Sequence, residues 1–398
     1  MRLPQRSAST LIAGLMALTV ICPRASAGRI TAIPVTPAPI IIGEYGSMTG
    51  DQSIFGVNTD NGVRLAIDEV NASGGINGRQ LSLVVRDDEG KLDKVVLAAE
   101  NLVRVARPTA VIGEVASGLS APAAIVFNDA KVPMISPSST NPRVTTVGPY
   151  IFRACFIDPF QGTAAATFAV TQLQAKRAAV FWDVSNQYSV GLTVNFEHTF
   201  RASGGKIVCE RNYAMADTSF EASLKSIKAA SPDIIYVPGY YANAGPIAVQ
   251  CRKLGITAPL IGGDGWDSPR LIDGAGGPGG ALEGSYFTDH YAADNPSSKT
   301  QAFVEAYHAK YGAVPDALAA LGYDAAGILI AALKSTAPVD DYGSARYRAK
   351  LRDAIAATAH YAGVTGNITI NERRNAVKPA VVLQVHGAGY VYKSTINP

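Results

Sequence analysis

The chain has 398 residues, 47% of them hydrophobic and 17% charged. That length suits two or three domains with real cores, and that balance excludes a disordered chain or a coiled coil. The 38 glycines follow no three-residue period, which excludes collagen, and four cysteines are too few for a disulfide scaffold.

Arg2 and Arg6 open the chain, Leu11 to Cys22 is apolar, and Ala25-Ser26-Ala27 offers a small-residue cleavage site. A run that short with those flanks predicts a secretory signal peptide over residues 1–27, cut after Ala27. Ile21 is bulky where a lipoprotein signal wants a small residue before its cysteine, so a released protein is expected. The segment carries Arg2, Arg6 and Arg24 and no acid, and the remainder holds 32 basic and 32 acidic residues. The formal charge of +3 thus belongs to the export signal. A neutral surface argues against nucleic acid as a partner. No later apolar stretch approaches ~20 residues without a charge or turn signal, so the mature protein is expected to be soluble.

From Pro39 onward, short apolar runs alternate with helical patterns. Ile40-Ile41-Ile42 reads as a buried strand, and Asp60 to Val70 as a helix with Val63, Leu65, Ala66 and Val70 at helical spacing. Gly74-Gly75-Ile76-Asn77-Gly78 breaks the chain. Strands follow at Leu81–Val85, Ala110–Gly113 and Pro133–Ser136, with helices at Val95–Val105 and Ala121–Phe127 between them. This repetition implies a parallel sheet covered on both faces. The rhythm restarts with strands at Ala178–Trp182, Lys206–Cys209, Ile234–Val237 and Pro259–Gly262. Helices at Gly191–Ser203, Phe220–Ala229 and Ala244–Leu254 separate them. Tyr150–Phe156 and Ser285–Thr288 are extended runs without matching helices and read as strands crossing between two lobes. Helices at Lys299–Tyr311, Leu318–Leu333 and Tyr347–Thr358 precede strands at Asn367–Ile370 and Pro379–Val385 and a turn at Gly387-Ala388-Gly389. The fold class is therefore α/β, with two doubly wound parallel-sheet lobes joined by a three-strand hinge. Lobe one comprises 39–156 plus 289–366, and lobe two 157–288 plus 367–398.

Much chemistry has no counterpart in the sequence. There is no phosphate loop and no Gly-x-Ser-x-Gly elbow. Gly274-Ala275-Gly276-Gly277-Pro278-Gly279 matches a dinucleotide fingerprint, but no strand precedes it and Pro278 interrupts it, so it reads as a surface loop. No cofactor and no metal is implied. His198, His290, His308, His360 and His386 are scattered and read as solvated surface residues. Asp87-Asp88-Glu89-Gly90 lacks the remaining ligands of a calcium loop and reads as a solvated turn. Cys155, Cys209 and Cys251 remain after export. A Cys209–Cys251 bridge is chemically open in an oxidising compartment, but with Cys209 on an edge strand, buried free thiols are expected.

The polar clusters follow strands, on the side where α/β sheets bind ligands. In lobe one these are Gly43–Gly50, Gly113–Ser117 and Ser136–Pro142. They offer hydroxyls and helix-start N–H groups, which suit a carboxylate. In lobe two, Asn186-Gln187-Tyr188, Gly239-Tyr240-Tyr241 and Gly262-Gly263-Asp264-Gly265-Trp266 offer aromatics and one acid, which suit a cation and an apolar group. Taken singly, each has a plain reading as a turn, sheet-end packing or a helix cap. Together they describe a ligand with both charges and an apolar tail, an amino acid.

Gly74-Gly75-Ile76-Asn77-Gly78-Arg79, Ile135-Ser136-Pro137 with Thr140-Asn141-Pro142, Phe152-Arg153-Ala154-Cys155-Phe156 and Gly262–Pro269 carry a resemblance. The chain resembles, over about residues 39–398, the branched-chain amino acid-binding proteins of ABC importers, which are type I periplasmic substrate-binding proteins. The resemblance implies that Ser117 and Thr140 hold the ligand carboxylate and that Ser138 meets the ammonium, through its carbonyl. It places Phe55 beside the ligand side chain, has Tyr188 and Tyr240 close over it from lobe two, and pairs Asp264 with the ammonium. The leucine and isoleucine binders more often carry Glu at that last position, and they have a lobe-one disulfide for which this chain has no cysteine pair. The implied partner is an inner-membrane ABC permease, and the implied state is a periplasmic monomer without enzymatic activity. The same fold binding an aromatic acid, amide or urea, or serving as a sensor, is the alternative.

Overall fold

The computed structural model describes Met1, residues 37–339 and residues 341–398; the expected signal peptide lies outside the described residues. Residues 37–398 form one compact unit. Its first half runs β1 (Ile40–Gly46), α1 (Ser53–Ala72), β2 (Leu81–Asp87), α2 (Leu92–Asn101), β3 (Ala110–Ile112), α3 (Ser117–Asp129), β4 (Met134–Ser136), α4 (Arg143–Thr146) and β5 (Ile151–Arg153). The five strands form a parallel sheet in the order β2-β1-β3-β4-β5. Ile40, Ile42 and Ile112 pack on one face of it with Val63 and Ile328, and Val111 and Met134 pack on the other with Val95 and Phe127. Both faces are dry, which is why its strands read as unbroken apolar runs.

The chain continues with α5 (Asp158–Thr171), β6 (Arg177–Asp183), α6 (Gln187–Ala202), β7 (Lys206–Tyr213), α7 (Glu221–Ala229), β8 (Ile234–Tyr236), α8 (Tyr241–Lys253), β9 (Leu260–Gly262), α9 (Pro269–Gly274) and β10 (Tyr286–Asp289). These five strands repeat the first sheet's order, β7-β6-β8-β9-β10. In each sheet the strand order reverses beside its first strand, and the crevice outside the carboxyl ends at that point is where such sheets bind ligands.

The remaining elements are α10 (Ser298–Tyr311), α11 (Ala317–Thr336), α12 (Ala345–Ala356), β11 (Tyr361–Gly363), β12 (Gly366–Ile370), β13 (Ala376–Val377), β14 (Ala380–His386) and β15 (Gly389–Ile396). Helix α11 has a mean hydropathy of 1.5, apolar enough to cross a membrane, but 72% of its apolar window is buried inside the protein. It lies so close to α1 that a Cβ on Gly62 would strike the Ala319 carbonyl.

Three expectations need correction. Tyr150–Phe156 and Ser285–Thr288 do not themselves cross between lobes. β5 is an edge strand of the first sheet, β10 sits inside the second, and the chain crosses after each of them. Asn367–Ile370 does not join lobe two. β12 pairs with β11 and β13 in a separate three-stranded sheet, and Ile368, Ile370 and Ala376 bury into the core of the first lobe. Only β14 and β15 extend the second sheet, β14 antiparallel to β10 and β15 antiparallel to β14. Finally, α5 was absent from the pattern. Its Ala-rich face leaves little helical periodicity, and Pro159 in its first turn reads as a break although that position tolerates proline.

Candidate functional site

The site residues sit where strands hand over to helices. After β3, Glu114 is buried and ties the turn: its Oε2 accepts from Ala116 N and its Oε1 from Ser47 Oγ at 3.0 Å. Burial holds its carboxyl well above the ordinary range. The Glu114 carbonyl accepts hydroxyl bonds from Ser120 (3.0 Å), Ser136 (2.8 Å) and Ser139 (3.0 Å). That hub binds the loop after β4 to the loop after β3. Arg153, fully buried at the end of β5, secures the other side of the loop by donating to the carbonyls of Ser139 and Asn141 and to Thr145 Oγ1.

The wall so built presents Ser117, Ser138 and Thr140. The Ser117 hydroxyl accepts from Asn141 N at 3.2 Å, which leaves its proton free to donate. Ser138 Oγ is buried with no hydrogen-bond partner, and Thr140 Oγ1 lies beside the buried Asp158 carboxyl. Helix α3 starts at Ser117 without a side-chain cap, so its positive end is available as well. Hydroxyl protons and a helix start on one wall suit a carboxylate.

The opposite wall comes from lobe two. Asn186 caps α6 by accepting from Tyr188 N at 3.0 Å, and this places Tyr188 parallel to Tyr240, ring centroids 5.3 Å apart. Phe55 of α1 meets Tyr240 edge-on at 5.4 Å, a contact between lobes. Asp264 opens a short turn after β9 and is 7% exposed. Its Oδ1 accepts from Tyr188 Oη and Gln161 Nε2, both at 2.8 Å, and its Oδ2 lies 3.0 Å from His290 Nε2. Burial pushes His290 down to about 4, so at neutral pH this imidazole is an uncharged donor. Among the described residues no lysine or arginine forms an ion pair with Asp264. A carboxylate held only by neutral donors is the complement of a cationic group.

Phe55, Ser117, Ser138, Thr140, Tyr188, Tyr240 and Asp264 all line one narrow slot between the lobes, with Val115, Gly265 and Leu318. Its free volume is about 20 Å³, far below the ~300–1,000 Å³ of pockets that take drug-sized ligands. The lobes also touch at its rim. Tyr241 Oη donates to Asp51 O at 2.8 Å, and Asn141 Nδ2 to Gln187 O at 3.0 Å.

Sequence reasoning missed Gln161, because α5 went unrecognised, and Arg153, whose place in a quoted motif did not reveal its role as a loop anchor. It also misplaced His290, which is 2% exposed and stacks on Phe156 at 3.6 Å; the other four histidines are exposed. A lone histidine after a strand carries no signal for burial. Cys155, Cys209 and Cys251 are free thiols, with Cys209 on the edge strand β7.

Over residues 39–389 the sequence matches the periplasmic binding protein family. The chain belongs to that family. Among similar proteins of the family, an amino acid binding protein of Pseudomonas aeruginosa is 34% identical over 242 residues, which span 61% of this chain and 64% of that protein. The crystal structure of a leucine binding protein, LivK, from Thermotoga maritima superposes with a TM-score of 0.82 at 38% identity, covering 90% of this chain and 99% of that one. The branched-chain amino acid transporter substrate binding protein LivJ from Streptococcus pneumoniae, solved with isoleucine, gives a TM-score of 0.82 at 31% identity, covering 90% and 100%. The two-lobed parallel α/β architecture is thus that of the type I periplasmic binding proteins.

Proposed function

We propose that this chain is the extracytoplasmic solute-binding protein of an ABC importer and that it captures a branched-chain or other small apolar amino acid. The observation that carries this reading is the opposed chemistry of the slot. Ser117, Thr140 and the start of α3 on one wall meet the ligand carboxylate, and Ser138 meets the ammonium through its carbonyl. Asp264, seated by Tyr188, Gln161 and His290, meets the ammonium from the other. Phe55, Val115 and Leu318 take the side chain. The open protein binds ligand on lobe one, and closure about the three crossings brings lobe two over it. Contacts with both lobes make closed and liganded the favoured state. Desolvated, charge-assisted contacts at both ends supply roughly 8 kcal/mol, a micromolar dissociation constant.

In this reading the protein is exported to the periplasm as a monomer, works as a carrier and not as an enzyme, and delivers its ligand to a membrane permease. A thermal-shift screen across the apolar amino acids, their amine-free acids, benzoate, amides and urea tests it, because only ligands that bind the native state raise the melting temperature. Stabilisation by leucine, isoleucine or valine is expected. Stabilisation confined to the amine-free acids or urea would overturn the amino-acid assignment.

A further inference from the structure

A second, larger cavity backs onto the slot. It holds about 460 Å³, and both lobes contribute to its walls. Ile54 and Asn58, one turn apart on α1, face it, while Phe55 on the same helix faces the slot. Asp267, three residues beyond Asp264, lines it too. The start of α1 and the 264–267 turn therefore separate the two cavities. The volume falls in the ~300–1,000 Å³ range of small-molecule pockets.

The walls are apolar through Ile54, Ile272, Val314 and Leu383, and the charged groups among them are all acidic: Asp267, Asp294 and Asp316. Among the described residues none of these three forms an ion pair. Asp267 and Asp316 are held by uncharged donors. Asp267 Oδ2 accepts from Ala317 N at 2.6 Å, and Asp316 accepts from Ala319 N at 2.9 Å and from Asn58 Nδ2. Tyr291 lines the same cavity, is 4% exposed, and its hydroxyl has no hydrogen-bond partner. Burial, and for Asp267 also the nearby Asp316 charge, pushes Asp267 up to about 7; burial pushes Asp316 up to about 6. Burial disfavours charge on both carboxyls, and among the described residues no cation pairs with either.

We propose that this cavity is a second ligand site that takes a small organic amine, its ammonium against Asp267 and Asp316 and its apolar group against Ile54, Ile272 and Leu383. An amine bridging the two lobes favours the closed form as a ligand in the slot does, so each tightens the binding of the other by the same factor.

The probe is benzylammonium, titrated calorimetrically into the mature protein, with benzyl alcohol as the uncharged control. Val314→Trp fills the cavity from an exposed loop position, and Asp316→Asn removes a charge while keeping a residue that caps α11 equally well. Wild type is expected to bind benzylammonium about tenfold or more tighter than the alcohol. Each of these two variants weakens that binding about fivefold or more, while Asp264→Asn, in the slot, leaves it within about twofold. Absence of binding at about 10 mM, equal affinity for the alcohol, or sensitivity to Asp264→Asn without sensitivity to the other two variants would each overturn the proposal. None of these readings depends on whether leucine binds.

Discussion

Replacing Asp264 by asparagine isolates the electrostatic half of the slot. The side chain keeps its size, so Tyr188, Gln161 and His290 stay packed, but the buried negative charge is gone. All three of its present partners are uncharged at neutral pH, so a ligand ammonium meets the whole of that charge. Removing one partner of a buried charged pair costs about 2–5 kcal/mol. At 1.4 kcal/mol per tenfold, the lower bound alone weakens leucine about 30-fold. Calorimetry with leucine measures it, beside a melting curve that shows the variant folded. The amine-free acid of leucine serves as the second ligand. It binds wild type more weakly than leucine does, and the substitution leaves its affinity unchanged or improved, because a carboxylate no longer faces an empty ammonium position. An unchanged leucine constant, or equal losses for leucine and its amine-free analogue, would refute the pairing of Asp264 with an ammonium.

Ser138→Ala tests whether that residue acts through its main chain. Its hydroxyl is buried without a partner and alanine keeps the carbonyl, so neither the denaturant melt nor amino-acid affinity is expected to change by more than about 0.5 kcal/mol, roughly twofold; a larger loss of leucine affinity by calorimetry would refute the carbonyl contact. Arg153→Ala withdraws the donors that hold Ser139 and Asn141 and is expected to lower unfolding free energy by about 3 kcal/mol or more; Arg153→Lys recovers part of this, since one ammonium cannot reproduce the guanidinium fork. Protonation supplies a further test. Burial raises Asp158 and Asp267 to about 7, so the native state holds protons that the unfolded chain has released, and their contribution is lost as pH rises from about 4 to 7. His290 acts oppositely. Depressed to about 4, it withdraws stability as pH falls below about 6.5. With two carboxyls against one imidazole, the melting temperature should be higher at pH 5 than at pH 8, and Asp267→Asn should flatten that slope; a wild-type protein that melts higher at pH 8 would contradict the assignment.

The architecture was legible because its physics is periodic. Ile40-Ile41-Ile42 and Ala110–Gly113 read as strands buried on both faces, and the helices between them keep apolar residues at helical spacing. The residues that line the slot could be proposed as candidates because parallel sheets place their loops at one edge, and Ser117, Ser138, Thr140, Tyr188, Tyr240 and Asp264 each follow a strand. What stayed hidden depends on contacts distant in sequence. Gln161 reaches Asp264 across 103 positions. His290 becomes a neutral donor because it is buried, with Phe156 stacked on its ring. Gly366–Ile370 pairs with β11 rather than the large sheet, a choice that alternating apolar residues alone do not dictate.

The carbonyl of Glu114, shared by three serine hydroxyls, completes the first lobe's wall through contacts that do not involve the ligand. The entropy of ordering that loop is spent during folding, and none of it falls on the arriving solute. Different amino acids should consequently be admitted at similar speeds and differ chiefly in how long they stay. In the proposed role this means that selection operates at departure: poorly matched solutes leave before a transporter would be met, and well matched ones ride along.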